Sequence, residues 1–299
     1  MDEGTFRTKL LDAKILVDMG SAGLYARSGT FEGVVTAIES AVTRIAGDEP
    51  DSVVRFPALM ARSIFEKTDY LRSFPDMAGA ISTFAGGDKE HKKLLARLDG
   101  EGDWEAELTP ADVVLTSSAC HPIYNSYTGT LPDGGTVVDL LAWCFRHEPS
   151  LDPGRMQCFR QREMVFMGTA DAALAHRDLW VDRALDFTHS LGLDTEAEVA
   201  NDPFFGRAGR ILANGQLESA LKMEIVTHVG SDSRTTAVAS SNCHTDHFGH
   251  NFDIRSADGA VAHSACVGFG LERMTLALLR QHGFDPLSWP AEVRAVLWP

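Results

Sequence analysis

The sequence predicts a mixed α/β chain of the α+β type, with an antiparallel sheet flanked by helices. Strand-like runs follow one another across hairpin-length turns and not across regular crossover helices, which argues against a doubly wound parallel sheet. The 299 residues are 44% apolar, enough for one large domain with a sizeable core, and 23% charged, which excludes a disordered chain. No internal repeat or low-complexity linker divides the chain, so a single domain over 1–299 is expected.

In chain order, residues 4–20 read as a short amphipathic helix with Phe6, Leu10, Leu11 and Ile15 as its stripe. After a Gly-rich break, Phe31, Val34, Val35, Ile38, Val42 and Ile45 keep a helical stripe that Gly47, Asp48 and Pro50 end. "SVVRFPALM" is β-branched and meets Pro57. Residues 86–107 are polar with a short helical core and read as a surface insertion. "DVVLTSSACHPIYNSYTG" is strand then loop, and "VVDLLAWCFRHE" and "RMQCFRQREMVFMGT" read as strands. A helical segment covers about 170–215, strongest over 170–191, where Gly and Pro are absent and charges are mixed. Strands are expected over 222–243 and 247–256, and "SACVGFGLERMTLALLRQHG" is a Gly-rich strand end running into a helix.

The formal net charge of −15 disfavours nucleic-acid binding, which draws much of its affinity from phosphate neutralisation by a basic face. Five scattered cysteines (Cys120, Cys144, Cys158, Cys243, Cys266) and the lack of a signal-peptide pattern lead us to expect a reducing cytoplasm. No run approaches the ~20 apolar residues of a membrane span. No G-x-x-x-x-G-K-[ST] sequence supports a P-loop route to ATP.

Two motifs carry chemistry. The first is Phe145-Arg146-x-Glu148, followed by Arg155, Phe159 and Glu163. An arginine can clamp a phosphate, a carboxylate can accept from an exocyclic amine, and an aromatic face can carry a purine. Each residue alone would be ordinary surface or core. The second is Gly268-x-Gly270-x-Glu272-Arg273 at a strand-to-helix junction, where glycines permit close backbone approach and the arginine starts a helix.

In this order the two motifs resemble motifs 2 and 3 of class II aminoacyl-tRNA synthetases, and the helix and strand of Thr30–Pro57 resemble motif 1. The resemblance implies that Arg146 contacts the α-phosphate of ATP, Glu148 the adenine amine and Arg155 the outer phosphates. It further implies that Phe159 stacks on adenine, Arg273 holds the γ-phosphate end, and Arg146 and Arg273 are catalytic. Met156, Ala237, Val238, Ala239 and Ser240 would complete the ATP site, with Mg2+ accompanying the nucleotide. A homodimer through motif 1 is implied too.

"RMQCFRQREMV" and Ser240–Asn242 are similar to the seryl-tRNA synthetase version. Two departures stand out. Thr236 or Ala237 occupies the place of the acidic residue for ATP-bound metal, and Thr116–Cys120 replaces the Thr-x-Glu loop. With the compact length, these features resemble the amino acid:[carrier protein] ligases over nearly the whole chain. That family's zinc set implies Cys120, Glu163 and Cys266 as ligands, three donors that leave one tetrahedral position open for the substrate amine. Glu163 and Asn242 would hold the amino acid. A rival set, His244-x-x-His247-x-x-His250 with Asp246, is poor on a strand, because spacings of three alternate faces.

The implied reaction activates glycine or alanine as an adenylate and transfers it to the phosphopantetheine thiol of a carrier protein, without tRNA. Only about 30 residues precede motif 1, too few for a tRNA-gripping hairpin. Two patches are candidates for carrier docking: Lys89–Arg97, with Lys92 and Lys93, and segment 176–210, with Arg177, Arg183, Arg207 and Arg210. The alternatives are a zinc-dependent synthetase that charges tRNA with an arm from another chain, and a non-catalytic synthetase-like binding protein.

Overall fold

Ser28 and Gly47 bracket the first long helix: the Ser28 hydroxyl accepts from the Phe31 amide at 3.2 Å, and Gly47 turns the chain out at φ +58°. Its stripe of Phe31, Val34, Val35, Ile38 and Val42 is fully buried, as its spacing requires. The structure is a computed structural model and describes residues 2–100, 102–202 and 220–299.

The elements run α1 (Glu3–Asp12), β1 (Leu16–Asp18), β2 (Tyr25–Arg27), α2 (Gly29–Ala46), β3 (Ser52–Phe56), β4 (Leu59–Ala61), α3 (Arg62–Lys67), α4 (Tyr70–Ser73), β5 (Ala80–Thr83) and α5 (Asp88–Asp99). Then come β6 (Thr109–Leu115), β7 (Gly129–Thr130), β8 (Thr136–Phe145), β9 (Cys158–Gly168), α6 (Ala170–Ser190), β10 (Glu196–Ala200) and β11 (Lys222–Thr227). The chain closes with β12 (Thr236–Thr245), α7 (His247–Phe252), β13 (Ile254–Arg255), β14 (His263–Gly270), α8 (Leu271–His282) and α9 (Ala291–Leu297).

Seven strands form the main sheet in the order β10-β11-β12-β14-β9-β8-β3. Every neighbouring pair is antiparallel except β3 with β8, which is parallel. The expected antiparallel sheet therefore gains a parallel edge: β3 arrives from α2 and not through a hairpin, so nothing forces it to oppose β8.

Register explains how one face is left for a site. Glu163, Gly268, Ser240 and Glu224 lie side by side across β9, β14, β12 and β11, and Val165, Cys266, Asn242 and Lys222 form the next row on the same face. The alternate residues Met164, Val267 and Ser241 point to the other face. There Met164 and Val267 join the main core with α2, α6 and α8, whose Ile38, Trp180, Leu276 and Leu278 are 0% exposed.

Some sequence expectations need correction. The first helix stops at Asp12, and Lys14 turns at φ +53°, so Ile15 is buried beyond the helix and not on its stripe. Residues 247–252 form α7 and not a strand, because Thr245 and Asp253 take left-handed backbone on either side of it. The insertion at 86–107 carries α5, which buries none of its residues. Of the helical segment about 170–215, Ala170–Ser190 is helix and Glu196–Ala200 is strand, and residues from 203 lie outside the described ones. Among the described residues no helix is long and apolar enough to cross a membrane.

Candidate active site

The open sheet face, the loop after β6 and the loop between β8 and β9 enclose a cavity of about 630 Å³. It is lined by Cys120, Arg146, Glu148, Met156, Phe159, Glu163, Ala237, Val238, Ala239, Ser240, Asn242, Cys266 and Arg273. Of the residues singled out in the sequence, Arg155 is not among the lining groups. Its Nη1 donates to Glu148 Oε2 at 2.9 Å, and both side chains are partly exposed. A pair this exposed is worth at most about 1 kcal/mol, so a nucleotide could separate it.

At one end of the cavity, arginines concentrate. Arg146 Nε donates to the Ser117 carbonyl at 3.0 Å and its guanidinium lies 5.5 Å from the Phe159 ring centre, which fixes the planar group beside an aromatic face. Burial acts to lower its pKa, but Tyr70, Cys144 and Glu148 hold it above the ordinary arginine value. Arg273 donates from Nε to the Gly154 carbonyl and from Nη1 to the Ala237 carbonyl. Burial, with Arg146 and Arg155 nearby, brings its pKa down to about 10, so it remains charged at neutral pH. Two charged guanidiniums face one space, and among the described residues neither makes a direct bond to a carboxylate, so together they form a seat for polyanionic phosphate.

Glu272 takes a different role from Arg273. It is 2% exposed and accepts from the Arg160 amide and Arg160 Nε at 2.7 and 2.8 Å, while Arg160 also forks onto Glu32 of α2. This network ties α2, β9 and α8 together behind the arginine end.

At the other end lie the thiols. The loop Thr116–Cys120 is pinned by the Phe145 amide donating to the Thr116 carbonyl at 2.7 Å, which places Cys120 opposite Cys266 of β14. Donor atoms of Cys120, His244 and Cys266 all lie within 4.8 Å of one another. Glu163 is not within that group of three and lines the same cavity beside it. Gly268 makes room for it: a Cβ there would meet Glu163 Cγ at 3.3 Å, whereas at Gly270 the nearest contact is an ordinary 3.6 Å. Burial pushes the Glu163 carboxyl up to about 7 against the opposing thiols and Arg146, and the Cys266 thiol is raised well above its ordinary value by its hydrogen bond with Cys120 and by burial. Burial keeps His244 and His121 neutral, with pKa values down to about 4 and about 3.

Among the described residues, Glu163 Oε2 and Asn242 Oδ1 are buried without a hydrogen-bond partner. Buried polar atoms normally find one, so these two point to a missing ligand. Two thiols and a carboxyl buried on one cavity wall are a donor set that zinc fits, since the cation offsets the charge that burial penalises.

The rival histidine set does not assemble. Among the described residues, neither His247 nor His250 joins the thiol group: His250 is exposed and reaches Asp246, and His247, which lines the cavity, contacts Asn251. His244 alone joins the cysteines. Sequence reasoning saw it only within that spacing and missed its place as the residue two beyond Asn242 on the cavity face of β12. It also missed Lys222 and Glu224, which line the cavity from β11 and pair at 2.9 Å.

The docking candidates are altered as well. Arg177 is buried and donates to the Ala220 carbonyl, and Arg183 pairs with Glu49, so both are engaged internally. Arg207 and Arg210 lie outside the described residues. On α5, Lys89, Lys92 and Lys93 are exposed, while Arg97 pairs with Glu107.

The sheet, its covering helices and the two arginines at its open face define a catalytic domain of the class II aminoacyl-tRNA synthetase fold. Solved structures agree. M. kandleri SerRS in complex with A. aeolicus tRNASec superposes with a TM-score of 0.82 over 98% of this chain and 60% of its own, at 19% identity. Seryl-tRNA synthetase from Pyrococcus horikoshii complexed with ATP gives a TM-score of 0.66 over 92% of this chain and 58% of its own, at 15% identity. The chain thus spans less than two thirds of these structures. By sequence, it is 41% identical over 95% of its length to amino acid--[acyl-carrier-protein] ligase 1 of Bradyrhizobium diazoefficiens, of which it covers 87%, and 41% identical to ligase 2 of that organism over 94%, covering 84%. The type-2 serine--tRNA ligase of Methanococcus aeolicus is 26% identical over 86% of the chain, which covers 51% of that protein. No protein-family model matches. The chain belongs to the amino acid--[acyl-carrier-protein] ligase family and is an enzyme, which sets aside the non-catalytic reading.

Proposed function

We propose that this ligase activates a small amino acid, glycine or alanine, with ATP and transfers it to the phosphopantetheine thiol of a carrier protein. The observation that carries the reading is one cavity with the Arg146–Arg273 pair at one end and Cys120, Glu163 and Cys266 at the other. An amino acid held between them presents its carboxylate to the α-phosphorus. A carboxylate oxygen attacks, the bond to the β-phosphate oxygen breaks, and pyrophosphate leaves. The thiol, having lost its proton to solvent, then attacks the carbonyl carbon of the adenylate as thiolate, and the bond to the phosphate oxygen breaks so that AMP leaves as the thioester forms.

Each residue group has a task in these steps. Arg146 holds the α-phosphate and Arg273 the γ-phosphate end, both already charged and fixed by carbonyl acceptors, so they need little reorganisation. Phe159 carries the adenine face and Glu148 accepts from its amine once released by Arg155. Met156 and Ala237–Ser240 wall the nucleotide, and Mg2+ accompanies it. Cys120, Glu163 and Cys266 would hold zinc, which supplies a Lewis-acidic seat for the neutral amine of the substrate. Asn242, with its unpartnered Oδ1, would orient the amino acid beside Glu163. A homodimer through α2 and β3 is supported by β3 standing at the sheet edge with Val53 64% exposed.

The second reading is tRNA charging, favoured by the SerRS neighbour solved with tRNASec. Both are tested together. Amino-acid-dependent ATP–pyrophosphate exchange with each amino acid identifies the substrate. Labelled amino acid is then offered in parallel to holo-carrier protein, apo-carrier protein and total tRNA. Hydroxylamine-labile label on the holo form alone is expected. Stable label on tRNA with none on any holo-carrier would make the second reading the better one.

A further inference from the structure

We propose that His244 is a positioning residue for the metal centre, its Nε2–H donating to the Cys266 thiolate; the inference rests on the zinc reading above. His244 follows Ser240 and Asn242 on the cavity face of β12. The β12–β14 register shifts between Cys243 and Thr245, leaving His244 as the extra residue of a bulge, the kind of irregularity that re-aims a side chain. Its Nε2 stands 3.5 Å from Cys266 Sγ, the separation of an N–H···S hydrogen bond.

The other nitrogen decides the tautomer. His244 Nδ1 lies 3.1 Å from Ser264 Oγ and 3.3 Å from the Tyr124 hydroxyl. Both partners are buried hydroxyls, at 2% and 0% exposure, and both can donate. An Nδ1 that accepts from them leaves the ring proton on Nε2, aimed at the sulfur. Packing then fixes the ring plane. Phe248 stacks on Tyr124 at 4.0 Å and meets the imidazole edge-on at 5.1 Å. The ring therefore has little freedom to turn its lone pair toward the thiols.

The charge balance gives this donor a use. Two thiolates and a carboxylate around a divalent cation leave one excess negative charge. A neutral N–H donor draws part of it from Cys266 and holds that sulfur in place. The assembly is then a metal ligand, a histidine bound to it, and a Tyr–Ser pair that orients the histidine. Partners of this kind typically contribute a factor of about 10–100 in metal affinity.

The test uses purified wild type, His244→Ala and His244→Gln. Zinc affinity is measured by chelator competition, the thiolate-to-cobalt charge-transfer band after cobalt substitution, and melting temperature of the metal-free proteins as a folding control. His244→Ala is expected to lose about 10–100-fold in affinity and to shift the charge-transfer band, while the visible bands of a tetrahedral cobalt site persist. His244→Gln, whose amide N–H can take the place of Nε2–H, is expected to return affinity and band toward wild type. An alanine variant that matches wild type in both overturns the inference. Equal losses in both variants, with a change of cobalt coordination, also overturn it and make His244 a direct ligand. Wild type that binds no metal overturns the zinc reading itself, and this inference with it.

Discussion

Arg273 Nε donates to the carbonyl of Gly154 at 2.8 Å, which fastens the first turn of α8 to the loop between β8 and β9. The arginine proposed for the γ-phosphate end thus also fixes the loop that carries Arg155 and Met156. Arg273→Ala is expected to lower amino-acid-dependent ATP–pyrophosphate exchange by ~10²–10³, the usual cost of removing one preorganised charge from a transition state. Lysine keeps a charge but not the planar fork, so Arg273→Lys should recover only part. Zinc content should be unchanged in both. Exchange near the wild-type rate in Arg273→Ala would remove this residue from the mechanism.

Cys120 and Cys266 make the corresponding prediction at the other end of the cavity. We expect one zinc per chain, with thiolate–zinc distances near ~2.3 Å by X-ray absorption. Cys120→Ser and Cys266→Ser should each lose it, and with it amino acid activation. Full occupancy in both variants, measured by metal analysis, would falsify the ligand assignment. A chelator should reproduce the loss of activity in wild type, and added zinc should restore it.

Much of this site could be read before any coordinates, and the reason differs between its parts. Arg146, Glu148, Phe159 and Arg273 lie in short local motifs, where order along the chain carries the geometry. Cys120 and Cys266 are far apart in sequence, and only the likeness to a known family brought them together. His244 was hidden by an attractive spacing: the pattern drew in His247 and His250, which do not join the thiol group, and the bulge that sets His244 apart is not written in residue type. The fold shows the same division. The stripe of α2 and the strand-to-helix step at Gly270 follow from periodicity. The parallel seat of β3 and the end of α1 at Asp12 depend on tertiary pairing and on one left-handed residue, Lys14, which periodicity does not register.

Glu49, in the turn after α2, should make stability depend on acid. It accepts from Arg183 and lies 3.4 Å from His176 Nδ1, both on α6. Burial acts against its charge, but these two partners prevail and hold the carboxyl at about 2, below its usual 4.5. The unfolded chain then binds more protons between those values, so the stability Glu49 contributes is complete above pH 4.5 and is lost as pH falls toward about 2. Denaturant melts of metal-free wild type and Glu49→Gln should differ by a constant amount above that window and converge below it. A gap that stays constant into the acid would show that the charge of Glu49 is not what the pair depends on.

Arg162 and Asp139 should be the costliest polar pair to break. They are diagonal neighbours across β9 and β8 at 1% and 3% exposure, with Arg162 Nε donating to Asp139 Oδ1 at 2.6 Å. Arg162 also donates to the Glu39 carbonyl and the Thr43 hydroxyl of α2, so one guanidinium joins two strands to the helix proposed for the dimer interface. Asp139→Ala strands that guanidinium in the interior with Glu39, at 3.4 Å, as its one remaining carboxylate neighbour among the described residues. The expected loss is about 3–5 kcal/mol in a denaturant titration, because an uncompensated buried charge costs more than the pair contributed. Replacing both partners, as Asp139→Leu with Arg162→Met, should be far milder than either single change. A double variant as unstable as the sum of the singles would show that the two side chains do not act as a unit.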